Sequence, residues 1–233
     1  VLTDEKFRVS LERHGLEQAK KFSWDKSATC SIKAFEKLHQ DHQQKKSIKP
    51  SLVSRPKMAF VSPLPPERSG ISDYSAELLP ELSRHYEIEV IIDQNEVTAS
   101  WVNTNCEIRD VAYFRAHAND YDRVLYHFGN SHFHQHMFSL LEEVPGVVVL
   151  HDFFLSGITA HMEVTGYKEN AWAAALYHAH GYNALQHRFH AKDTADVVWK
   201  YPCNHRVISN STGVIVHSEN SKRLVERWYP FYE

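Results

Sequence analysis

Glycine is scarce in this chain, 8 in 233 residues. None of the glycines builds the G-x-G-x-x-G run of a dinucleotide site or the G-x-x-x-x-G-K-[ST] of a P-loop. Cysteine is scarcer still. Cys30, Cys106 and Cys203 stand far apart, with no CxxC and no short metal spacing, which argues against a zinc knuckle or a dense disulfide framework and fits reduced thiols in a cytoplasmic protein. Positive charge is not in surplus: 26 Lys and Arg face 29 Asp and Glu, so a nucleic-acid backbone would go unneutralised and no nucleic-acid partner is expected. No apolar run approaches the roughly 18 to 20 residues that span a bilayer. The N-terminus also lacks the basic, then apolar, then small order of a signal peptide. What is present is an ordinary globular composition, 42% hydrophobic and 24% charged, able to bury a core. The chain opens on Val1 and stops at Glu233, and is read as a piece of something longer.

Composition changes near residue 45. From Thr3 to His42, Phe7 and Leu11 share one helical face, and Phe22, Ala28, Ile32, Phe35 and Leu38 share another. This predicts two helices with a turn at Gly15. The stretch from Gln43 to Lys57 is polar and broken by Pro50 and Pro56, so residues 46–56 are expected to be a linker. A helical pair of this size buries too little surface to stand alone, and must pack on the main domain or on a neighbour.

Beyond the linker, short apolar runs alternate with amphipathic stretches, the mark of βα units and a mainly parallel, Rossmann-like α/β sheet with helices on both faces. Strands are expected at Met58–Val61, Ile88–Ile92, Val124–Tyr126, Val147–Leu150 and Val214–Val216. Several are apolar at consecutive positions, as strands covered on both faces must be. Ser72 is expected to cap a helix carrying Tyr74, Leu78 and Leu82, with Pro80 bending it. Ser218 is expected to cap a last helix that turns Leu224, Val225 and Trp228 inward. Phe153 to Ser209 reads as a long helical excursion.

Chemistry gathers where those strands end. The first runs into Ser62 and a loop ending in Arg68, Ser69 and Gly70; the third into His127, Phe128, Gly129 and Asn130; the fourth into His151 and Asp152; the last into His217 and Ser218. In an open parallel sheet these ends share one edge, where ligands bind. The Ser69–Gly70 loop before a helix could hold a phosphate on free amides, or be only a tight βα turn, with Asp73 supplying the negative charge that a helix start prefers. His151 with Asp152 could bind sugar hydroxyls, act in proton transfer, or cap the next helix.

The 17 histidines raise a metal hypothesis, above all His132, His134 and His136. Ser131 to Leu141 reads as helical, where alternate residues diverge, and no HExxH or well-spaced carboxylate completes a zinc set. Most of these histidines are expected to be partly exposed helix residues, and no metal is expected to be required.

The segment MAFVSPLPPERSGISDYSAELLPELSRHYEIEVIIDQ, residues 58–94, resembles the first strand, glycine loop and first helix of glycosyltransferase family 4 enzymes, particularly bacterial polysaccharide mannosyltransferases. VLYHFGNSHFHQHMFSLLEEVPGVVVLHDFFLSG, residues 124–157, is similar to their middle segment, and GVIVHSENSKRLVERWYP, residues 213–230, to the end of their N-terminal domain. The head, Phe7 through Leu38, is similar to the helices that close such enzymes. The resemblance thus implies residues 1–45 as the tail of one module, and residues 57–233 as the Rossmann-like N-terminal lobe of a second, with the GT-B fold.

The resemblance further implies a retaining transferase that moves a sugar, mannose from GDP-mannose above others, onto a glycan or lipid-linked acceptor in surface polysaccharide synthesis. It implies no covalent cofactor, a cytoplasmic location and a place at the inner face of the inner membrane. This lobe would shape the acceptor side, while a C-terminal lobe beyond Glu233 would bind the nucleotide, so the fragment alone is expected to be inactive. On matched positions, His151 would sit beside the transferred sugar as the catalytic residue. Arg68, Ser69, Gly70, Asp73, Tyr74, His127, Asn130, Asp152, His217 and Ser218 would contact substrate. Two other classes stay open: a noncatalytic carbohydrate-binding or partner-docking module, and another Rossmann-type enzyme. The second would need a glycine fingerprint beside the acidic Asp93.

Overall fold

In the doubly wound arrangement found here, backbone hydrogen bonds join six strands: β1 (Lys57–Val61), β2 (Glu87–Ile92), β3 (Glu107–Asp110), β4 (Arg123–Phe128), β5 (Val147–Leu150) and β6 (Gly213–Val216). Every pairing is parallel, in the order β3-β2-β1-β4-β5-β6. The computed structural model describes residues 5–21, 23–43 and 55–230. Between the strands run helices α3 (Gly70–Leu82), α4 (Ser100–Asn105), α5 (Val111–Ala116), α6 (Met137–Glu143), α7 (Ser156–Val164), α8 (Ala171–His180), α9 (Tyr182–His190), α10 (Thr194–Lys200) and α11 (His205–Asn210), with α12 (Glu219–Trp228) after β6. Two helices precede the sheet, α1 (Glu5–Ala19) and α2 (Trp24–Gln43).

Alternation along the strands builds two cores. Ala59, Val61, Tyr126, Phe128, Val148 and Leu150 face α5, α6, α7 and α12. Met58, Phe60, Leu125, Val147 and Val149 face the other way, onto Leu78, Leu79 and Leu82 of α3, Val102 of α4, and Ala28 and Phe35 of α2. The last of these packings has a topological cause. Crossovers of one hand place the helices of leftward and rightward steps on opposite faces. The steps to β5 and β6 run over the first face, so no crossover helix covers the second face there. α2 covers it, touching α3 and β6. The N-terminal segment therefore packs on this domain. By contrast α1 buries no residue, and Leu11 and Leu16 are exposed.

Several expectations change. The helix break is not at Gly15, which lies inside α1; α1 ends in a turn at Lys20 and Lys21. A lone helical glycine costs only about 1 kcal/mol, too little to end a helix. Phe22, the side chain of Leu38, and residues 46–54 of the expected linker lie outside the described residues. The cap of α3 is Ser69, whose hydroxyl accepts from the Ile71 amide at 3.2 Å, whereas Ser72 is buried inside the helix. Pro80 does lie within α3, and Ser218 does cap α12, accepting from the Ser221 amide at 3.1 Å. Residues 132–134 form one 3-10 turn before α6, and His134 and His136 are buried, not partly exposed. Among the described residues no helix is long and apolar enough to cross a membrane.

A candidate functional site built on three imidazoles

β4 extends two residues past its apolar run, so His127 is a strand residue on the same face as Leu125, under α3. It is fully buried against Phe60, ring centroids 4.5 Å apart. His151 follows β5 directly, and its amide donates to the Phe128 carbonyl at 2.9 Å. His217 follows β6 and is exposed. The three expected histidines therefore converge. His127 Nδ1 lies 2.9 Å from His151 Nε2, and His151 Nδ1 lies 3.1 Å from His217 Nε2.

Burial, reinforced by the neighbouring imidazoles, pushes His127 far below the ordinary imidazole range and His151 to about 3; burial also lowers His217. His127 and His151 are neutral at pH 7, and the uncharged form of His217 is favoured. Tyr74, one turn into α3, roofs them, its ring centroid 4.9 Å from His151, 5.6 Å from His217 and 5.9 Å from His127. Burial keeps its phenol protonated by raising its pKa.

This geometry sorts the expected residues. His151 turns a different nitrogen to each neighbour, so its ring has none left for a ligand, and the exposed end of the chain is His217. The same divergence keeps one metal ion from sharing the three rings. Among the described residues no cluster of His, Cys, Asp or Glu is arranged to hold a metal. Asp152 and Asn130 are engaged with protein: Asp152 Oδ2 accepts from the Asn130 amide at 2.8 Å, and Asn130 Oδ1 from the Ile158 amide at 2.8 Å. They clamp the loops after β4 and β5 together. Gly129 lies beneath the first turn of α3, where an added Cβ would collide with Ile71 Cδ1 and meet His134 Cε1 at 3.1 Å and Asp152 Oδ2 at 3.2 Å. At the start of that helix Arg68, Gly70 and Asp73 are exposed, and a Cβ on Gly70 would meet nothing within 4 Å.

A neighbouring crevice escaped the sequence reading. Pro63, Glu67, Asp93, Gln94, His132, Phe133, Gln135 and His136 enclose about 260 Å³ beyond the ends of β1, β2 and β4, where strand order reverses. Gln94 is fixed, accepting from the Leu64 amide at 2.9 Å and donating to its carbonyl at 2.8 Å. His136 Nδ1 lies 3.5 Å from Asp93 Oδ2, and burial pushes this imidazole to about 4 while raising the Asp93 carboxyl. The available signals were Asp93 at a strand end and the H-x-H-x-H run. Their convergence needs the fold. No family model, curated protein or solved structure matches the chain.

Proposed function

We propose that this chain is the acceptor-side lobe of a retaining glycosyltransferase, which moves a sugar from a nucleotide donor of the GDP-mannose kind onto a glycan or lipid-linked acceptor. The observation that carries the reading is the imidazole chain His127–His151–His217, which runs from a buried ring to an exposed one and is open to a ligand at His217 beneath Tyr74. It stands at the sheet edge where α/β folds bind ligands. Neutral imidazoles and the Glu67 and Asp93 carboxylates suit a polyhydroxyl ligand, which both donates and accepts hydrogen bonds. The lack of a glycine fingerprint after β1 speaks against a dinucleotide enzyme.

In this reading the charge to be stabilised is the departing nucleoside diphosphate. The amides at the start of α3, with Gly70 open before them, supply part of that field, and basic groups of a second lobe supply the rest. His151 serves as the link that holds His217, with Tyr74 as a wall. The test is a panel of nucleotide sugars offered, with glycan acceptors, to the parent protein that contains this chain. Release of nucleoside diphosphate that depends on the acceptor supports the reading. Silence across the panel, with carbohydrate still bound by the chain, would replace it with a noncatalytic carbohydrate-binding module.

A further inference from the structure

His127 has two ring nitrogens, and only one is used. Nδ1 meets His151, while Nε2 is buried without a hydrogen-bond partner. A neutral imidazole carries one proton, so the three rings can order their protons in two ways. In the first, every proton sits on Nδ1: His127 donates to His151, His151 donates to His217, and His217 presents N–H outward. In the second, every proton sits on Nε2, the bonds point inward, and the buried Nε2 of His127 becomes an N–H with nothing to receive it.

The outer end does not decide between them, since water satisfies exposed His217 either way. The inner end decides. A bare nitrogen can rest against carbon-bound hydrogens, whereas an N–H that meets only carbon loses its bond outright, and orphaned buried N–H groups are the rarer kind in folded proteins.

We infer that the imidazole chain is polarised outward, so that His217 Nδ1–H is a fixed donor to an acceptor oxygen of the ligand, and that this ligand is a phosphate oxyanion. The chain acts as neither base nor acid. Taking up a proton needs a bare nitrogen at the outer end, and giving one up would leave an imidazolate inside. Two helix starts flank this donor: α12 begins two residues after His217, and α3 carries Tyr74 against its ring. Their positive ends favour an anion, and the acidic side chains of their first turns, Asp73 and Glu219, are exposed to solvent. The inference rests on the transferase reading only for the owner of the phosphate.

The experiment is long-range proton–nitrogen NMR at neutral pH on the full chain labelled in histidine, which tells Nδ1–H from Nε2–H ring by ring, followed by titration with inorganic phosphate and with guanosine diphosphate. We expect Nδ1–H at His127, His151 and His217, a shift of the His217 signal with either ligand, and phosphate binding weakened about tenfold or more by His217→Phe. An Nε2–H tautomer at any of the three rings overturns the inference, as does a His217 signal that neither ligand moves. If the signal moves but the parent protein turns over no nucleotide sugar, the inference stands and the transferase reading falls.

Discussion

Trp24, the first residue of α2, meets Tyr74 edge-on with ring centroids 5.1 Å apart, and Tyr74 covers His151 and His217. A segment expected to belong to another module thus touches the roof of the candidate site. Its attachment is more than this contact, since α2 also seals the sheet face that the crossovers leave bare.

The seal predicts a large cost for Phe35→Ala. Phe35 is 4% exposed and packs edge-on against Tyr86. Removing a buried phenyl ring costs about 3–5 kcal/mol. Trp24→Ala, which removes only an aromatic pair from a residue 41% exposed, should cost about 1 kcal/mol. Urea unfolding of the two variants checks the order. Equal, small losses would mean that α2 is a loose appendage.

Much of this architecture was legible in the sequence. β5 is VVVL, apolar on both faces, and the strand read from it has the bounds observed. β3 is EIRD, an edge strand whose outer residues face water, so hydrophobicity could not reveal it. β4 was read as ending at Tyr126, because a histidine ends an apolar run, yet backbone pairing carries the strand on through His127 and Phe128. The site shows the same division. That His127, His151 and His217 share an edge followed from the parallel sheet, but which of them meets a ligand depends on side-chain burial. The crevice at Glu67, Asp93 and His136 draws on three loops far apart in sequence, and no local pattern marks it.

The buried imidazoles predict acid lability. Burial holds His151 at about 3 and His134 and His136 at about 4, against 6.5 for a free imidazole. Between these values the unfolded chain binds more protons than the folded one, so stability rises with pH there. It is complete above 6.5 and drains away as pH falls toward 4. Urea unfolding free energies measured across that interval should decline steadily. His134→Asn should lower the associated proton uptake by about one per molecule. A flat profile below 6.5 would show that these rings titrate freely.

Glycines 129 and 146 predict opposite kinds of damage. A Cβ on Gly146 would meet the Val124 carbonyl oxygen at 2.7 Å, a backbone atom of a paired strand that cannot retreat. Gly146→Ala should therefore cost global stability, about 1–3 kcal/mol from overpacking. A Cβ on Gly129 first meets the tip of Ile71, which can rotate away, and then His134 and Asp152. Gly129→Ala should cost less overall and disturb the loop after β4, read as faster amide exchange at Asn130. The reverse ranking would contradict the packing described.

The imidazole chain also predicts how losing its middle differs from losing its outer end. His151→Ala in the parent protein removes both hydrogen bonds of the chain, leaving His217 unsupported and His127 Nδ1 without its partner. Transfer should fall severely. Stability should also fall, by about 1–3 kcal/mol, because a buried polar atom is left unsatisfied. His217→Ala removes an exposed ring and one bond, and water can reach His151 Nδ1 in its place, so transfer should fall comparably while stability falls less than in His151→Ala. Turnover measured beside urea unfolding separates the two. If His217→Ala left turnover unchanged, the exposed end of the chain would not be where the ligand is held.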